Sequence, residues 1–271
     1  MGENCTYMLD NTKSEKENLY LLCEKWDIVG KLEQFFSGGN ITLRDDYRIT
    51  IKAPAPTKNT PWIYTRHSDR NCFLYHHIMF PVWKMIHTRC QDCWKVVVAP
   101  RTVVELMKLY YLQTELQASS KCGTEGDRPN SDKLYGGYFY NNSLEEGERC
   151  YQYVRAVVSE RISPDVPVIL KRACTEFEQE LGPSTEWKVT EEQKELEYIL
   201  DEVTMLDLIH HQQSHHMRMH LLKKWIHKAY QWGDKSYLEL TGGSPLFRQL
   251  VTYHQNIKPQ TEGTENGKSS S

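Results

Sequence analysis

The chain has 271 residues, of which 39% are hydrophobic and 25% charged. These ordinary globular values exclude wholesale disorder. A formal charge of −3 excludes a generally basic nucleic-acid coat but leaves room for a local basic face. A mean hydropathy of -0.64, with no apolar run of about 18 residues, argues against a spanning helix. No charged-then-apolar segment stands at the start of this sequence, so an intracellular, cytoplasmic location is expected. Gly2 and Thr6 fit a short myristoylation template, although Glu3 offers no basic second signal.

Residues 1–62 read as an N-terminal helix and strand extension. Leu19, Leu22, Cys23, Trp26, Val29 and Leu32 keep helical spacing, so a helix is expected from Glu15 to Phe36, ended by Ser37-Gly38-Gly39. Tyr47, Ile49 and Ile51 alternate as in a strand, and Pro54, Pro56 and Pro61 mark an extended loop.

Residues 63–182 form the expected α+β core. Within it, 63–93 mixes aromatics, histidines and arginines without a period. Trp94 to Val98 reads as a strand. Thr102 can cap a helix that buries Val103, Leu106, Leu109, Tyr110 and Leu112. Lys121-Cys122-Gly123 is a short strand or turn, and Leu134 to Tyr140 a further strand. Asn142 or Ser143 caps a helix from Leu144 to Ile162, and Val166 to Arg172 is the last strand. The order β-α-β-β-α-β is that of a split βαβ, ferredoxin-like sandwich. A βαβαβ three-layer unit is the alternative.

Residues 183–257 read as a helical C-terminal region, with a long helix from Thr190 to Trp232 striped by Leu196, Ile199, Val203, Leu206 and Met217. Residues 258–271 read as a disordered polar tail. Residues 176–202 hold ten acids against Lys188 and Lys194, a surface suited to docking a protein partner.

Three residue groups carry chemistry. Eight cysteines in a chain without a leader are expected as reduced thiols. Cys90 and Cys93 form a CxxC pair at the mouth of the first central strand. Antiparallel topology brings Cys174, just past the last strand, toward the same end, and Cys122 is the fourth candidate. Together they offer a tetrahedral zinc set, with an iron–sulfur cluster as the lesser fit.

Histidines are the second group. His210, His211, His215, His216 and His220 cluster, and on a helix Asp207, His211 and His215 would share one face. His67, His76, His77 and His87 lie among Arg66, Asp69, Arg70 and Lys84, where Asp69 or a histidine would act as a general base if the group lines a pocket.

The third group is basic and aromatic. Residues 41–110 hold eleven Lys or Arg against five Asp or Glu, interleaved with aromatics that include Trp62 and Tyr64. Arg66, Arg70, Lys84 and Arg89 would neutralise phosphates while Tyr138 and Tyr140 stack on bases. The stretch Tyr135-Gly136-Gly137-Tyr138-Phe139-Tyr140 resembles the aromatic third strand of RNA-recognition sandwiches. It departs from that pattern in having only valines, Val96 to Val98, on the first strand. Neither glycine pair fits a phosphate loop, and no serine sits in a nucleophile elbow.

These features point to a zinc-stabilised binding protein that contacts single-stranded RNA or DNA. The alternatives are a metal-dependent hydrolase using the clustered histidines and a structural assembly subunit.

Overall fold

The computed structural model describes residues 12–35, 41–43, 48–52, 60–66, 72–207 and 213–247. Ser14 opens α1 (Glu15–Lys25) with a capping box, its hydroxyl accepting from the Glu17 amide while the Glu17 carboxylate accepts from Ser14. The single helix expected over Glu15 to Phe36 is instead two. Asp27 adopts a left-handed φ of 49°, which ends α1 and lets α2 (Ile28–Phe35) start in a new direction. One turn apart, Ile28 and Leu32 are fully buried.

β1 (Ile41–Leu43) and β2 (Ile49–Lys52) form an antiparallel pair, and β3 (Trp62–Arg66) follows. The stretch without a sequence period proves to be helical and irregular. α3 (Cys72–Leu74) runs into a π-helical turn, Tyr75–Met79, and on into α4 (Phe80–Trp83), ended by Lys84 at φ 57°. Its mixture of i+4 and i+5 geometry explains why no single period was visible. α5 (Thr88–Gln91) leads into β4 (Trp94–Val98).

Thr102 caps α6 (Val103–Leu116) by accepting from Glu105, and β5 (Ser120–Thr124) and β6 (Tyr135–Asn141) make a hairpin. Ser143 caps α7 (Leu144–Arg161), which returns to β7 (Val168–Arg172) and then α8 (Thr175–Leu181). The long helix expected from Thr190 to Trp232 is broken. α9 (Glu191–Val203) passes into β8 (Thr204–Asp207), and α10 (His215–Gln231) has its own cap in Ser214. β8 pairs in parallel with β2, so its backbone groups find partners in a sheet rather than in the helix. α11 (Tyr237–Leu240) is the last element of the described residues.

β1, β2 and β8 form a small sheet. The main sheet is antiparallel throughout, in the order β3-β5-β6-β4-β7. A βαβαβ layer needs parallel neighbours, so that alternative is excluded; mixed α+β architecture holds. α6 and α7 cover one face of the sheet. In α7, a Cβ on Gly147 would stand 3.0 Å from Leu170 and from Trp94, so glycine lets that helix approach β4 and β7 closely.

Strand alternation sends Ile63, Val96, Val98, Cys122, Tyr135, Phe139 and Val168 into the core beneath these helices, where Leu221, Leu222 and Trp225 of α10 join them. A second core gathers Ile28, Leu32, Ile78, Met79, Phe80, Phe177, Leu196, Ile199 and Leu200. No helix among the described residues is long and apolar enough to cross a membrane.

Candidate functional site

The face of the main sheet turned away from α6 and α7 has a different chemistry. Cross-strand register sets Tyr64, Lys121, Tyr138, Val97 and Ile169 in one row. Tyr140, Lys95 and Lys171 form a second row, and Trp62, Gly123 and Gly136 a third. Lys121 projects among three rings, its Nζ lying 4.3 Å from the Trp62 centroid, 5.5 Å from Tyr138 and 5.9 Å from Tyr64. Such an arrangement stabilises a cation through the ring quadrupoles.

Lys121 has no carboxylate within ion-pair distance among the described residues. Burial, and then the neighbouring Lys95 charge, pull its ammonium down to about 8. Around it, Arg128 lies 5.7 Å from the Trp62 ring, Lys133 5.5 Å from Tyr138 and Lys95 5.8 Å from Tyr140. Trp62 meets Tyr138 edge-on at 5.7 Å.

A buried carboxylate is built into this face. Glu125 is 2% exposed and accepts from the Tyr138 hydroxyl at 2.5 Å and from Ser131 at 2.8 Å. A Cβ on Gly136 would stand 1.8 Å from its Oε1, so the glycine makes the space that the carboxylate fills. Glu125 and the burial around it push the Tyr138 hydroxyl above its ordinary value, burial being the larger cause.

At the rim, the Ala173 amide donates to the Cys93 carbonyl at 2.7 Å, tying the end of β7 to the start of β4. Cys174 follows and accepts a hydrogen bond from Lys95 Nζ at 3.0 Å. Burial works against the Lys95 ammonium, but Cys174 and then Cys93 hold it charged and raise it above the usual lysine range. His76, Cys174 and Glu176 bring one donor atom each to within 4.8 Å of one another. Glu176 pairs with Arg128 at 2.6 Å. Burial would raise its carboxyl, but its own amide and Arg128 hold it below the usual range. Burial and the adjacent His77 lower His76 to about 4.

Of the four cysteines expected as a set, Cys90, Cys93 and Cys174 are neighbours, and Cys122 stands apart from them. Cys122 lies under the helices in the first core, on the opposite face from its neighbour Lys121. Alternation along β5 forces this separation. Burial alone pushes its thiol up. Cys90 packs in the second core and Cys93 is buried. Burial, followed by the neighbouring thiols Cys174, Cys72 and Cys93, pushes the Cys90 thiol up.

Of the residues expected to contact nucleic acid, Tyr138 and Tyr140 sit half-buried on the face turned away from α6 and α7, and Arg66 is exposed at the end of β3. Lys84 is held elsewhere by Glu180 at 2.5 Å, and Arg89 by the Tyr75 hydroxyl at 3.1 Å. Arg70 lies outside the described residues, as do Gly2, Thr6, Tyr47, Pro54, Pro56, His67, Asp69, His210, His211 and the tail 258–271. Lys121, Arg128 and Lys133 were not singled out by sequence. Pairing Lys121 with Tyr138 in a hairpin register would have found the first of them.

The helical stripe Asp207, His211, His215 does not form, because Asp207 ends β8. His215, His216 and His220 are exposed on α10, and His87 is a buried cap that accepts from the Arg89 amide. Several acids of 176–202 serve this chain internally, with Glu178 paired to Lys171, Glu195 bonded to Lys25 and Trp26, and Glu197 accepting from Thr88. Comparison with family models, curated proteins and solved structures finds no match.

Proposed function

We propose that the face of the main sheet turned away from α6 and α7 binds single-stranded RNA or DNA. The observation that carries this reading is Lys121, a cation among three aromatic rings with no carboxylate partner among the described residues. Enclosing a charge without a counter-ion is costly, and a phosphate oxygen is the partner that would relieve it. Tyr64, Tyr138 and Tyr140, each part-exposed, supply stacking surfaces backed by the buried Trp62, and Lys133 adds positive charge beside Lys95 and Arg128, which Cys174 and Glu176 already hold. The βαββαβ order with the strand order β5-β6-β4-β7 supports reading the core as a ferredoxin-like sandwich. In that reading Tyr138 and Tyr140 belong to its third strand.

Fluorescence anisotropy with labelled single-stranded and double-stranded oligonucleotides tests this. Wild-type protein binds the single strand in preference, with affinity falling as salt rises because condensed counter-ions are released. Tyr138→Ala and Lys121→Met each weaken binding by about tenfold. Absence of binding at low salt, or equal affinity in both variants, would overturn the assignment.

A further inference from the structure

We propose that His76, Cys174 and Glu176 form a zinc site with one open coordination position. The site differs from the four-cysteine expectation in keeping only Cys174, and it does not rest on nucleic-acid binding, although Lys95 and Arg128 border both places. Nitrogen, sulfur and carboxylate oxygen are the donor types that zinc takes. Here they lie within 4.8 Å of one another. Zinc bond lengths of about 2.0–2.3 Å require tetrahedral donors to stand about 3–4 Å apart. Small side-chain rotations therefore close the set.

Three further observations converge on the same place. The Nε2 atom of His76 is buried without a hydrogen-bond partner, 3.9 Å from Glu176 Oε2. A buried polar atom in that condition asks for an explanation, and a bound ion supplies one here, where Cys174 and Glu176 offer the other donors. His76 also stands in the π-helical turn Tyr75–Met79, a distortion that occurs often at functional sites. Finally, Cys174 directly follows Ala173, whose φ of 51° is an unfavourable left-handed conformation for alanine.

The outer shell is already arranged. Lys95 donates to the Cys174 sulfur at 3.0 Å and Arg128 to Glu176 at 2.6 Å. Both hydrogen bonds orient the sulfur and the carboxylate that would hold the ion, the role that such partners play around metals. The thiolate and carboxylate together match the charge of the ion. The surrounding cations then favour water, hydroxide or another oxygen anion at the fourth position.

Cobalt titration of the chelator-treated full chain tests the proposal, because a thiolate ligand gives a charge-transfer band in the near ultraviolet. Wild-type protein develops that band together with tetrahedral d–d bands, and zinc abolishes both. Cys174→Ser removes the charge-transfer band, and Glu176→Gln and His76→Ala each weaken cobalt binding by about tenfold or more. Cys122→Ser leaves the spectrum unchanged. No band in the wild type, or a band that survives Cys174→Ser, would overturn the site. Should Cys174→Ser fail to fold by circular dichroism, alkylation of the wild type decides. Cys174 protected from N-ethylmaleimide by zinc supports the site, whereas modification of Cys174 at saturating zinc refutes it.

Discussion

The two faces of the main sheet are made by the same strands and differ in almost everything else. Beneath α6 and α7, Val96, Val98, Phe139 and Cys122 interlock in an apolar core with no charged group among them. One residue along each strand, the side chains become Lys95, Tyr138, Tyr140 and Lys121. The first face contributes to stability through removal of apolar surface from water. The second concentrates cations and hydroxyls where burial penalises them. The contrast teaches that one set of strands carries two faces of different chemistry, so substitutions one residue apart should have different consequences.

Phe139→Ala gives the largest expected effect on stability. Its ring is 1% exposed, and truncating such a residue costs about 3–5 kcal/mol. Chemical denaturation checks this, with Tyr138→Ala beside it as the half-buried neighbour. Equal losses in the two variants would mean that the faces are not energetically distinct.

Binding should show the reverse pattern. Tyr138→Ala loses about 1–3 kcal/mol of single-strand affinity, the usual contribution of a stacked base. A folded variant altered only under the helices keeps its affinity. Anisotropy titrations at matched salt would show this, and the comparison would break if both variants lost affinity equally.

Lys121→Met sharpens the contrast further, because it should raise stability while lowering affinity. The lysine in the folded chain titrates near 8, below its ordinary value of 10.5. At neutral pH the unfolded chain therefore accommodates the charge better than the fold does. Replacing the charge should stabilise the protein by about 1–3 kcal/mol, less whatever the three rings return through cation–π attraction. As pH rises from about 8 toward 10.5, the unfolded chain holds more protons than the folded one, and wild-type stability rises. The advantage of the variant then shrinks. Denaturation midpoints across that window measure it, and an advantage that grows with pH would contradict the assignment.

The smallest effect serves as the control. Ser143 accepts from the Glu146 amide at the start of α7, on the far side of the sheet. Ser143→Ala should cost about 1 kcal/mol by thermal or chemical denaturation. Single-strand affinity should not change.

Much of the architecture was legible because it depends on near neighbours. Strand parity in Trp94–Val98 and Leu134–Tyr140, the caps Thr102 and Ser143, and the spacing of Leu106, Leu109 and Leu112 are local properties, and the βαββαβ order follows from them. The continuous helices expected at both ends failed for a different reason. Asp27 turns the chain by a backbone conformation that many sequences could adopt, and β8 exists because β2 is present to pair with it. The candidate sites depend still more on distant partners.

By itself, then, the sequence determined the α+β class, the order of the central elements and which strand residues share a side, since period and capping act over a few residues. Only the tertiary structure decided that Cys122 and Cys174 stand on opposite faces and that His76 joins Cys174 and Glu176. It also decided that Lys121 lies between Trp62, Tyr64 and Tyr138. Those groupings join residues tens of positions apart, and it is cross-strand register and the packing of the Tyr75–Met79 turn that bring them into contact.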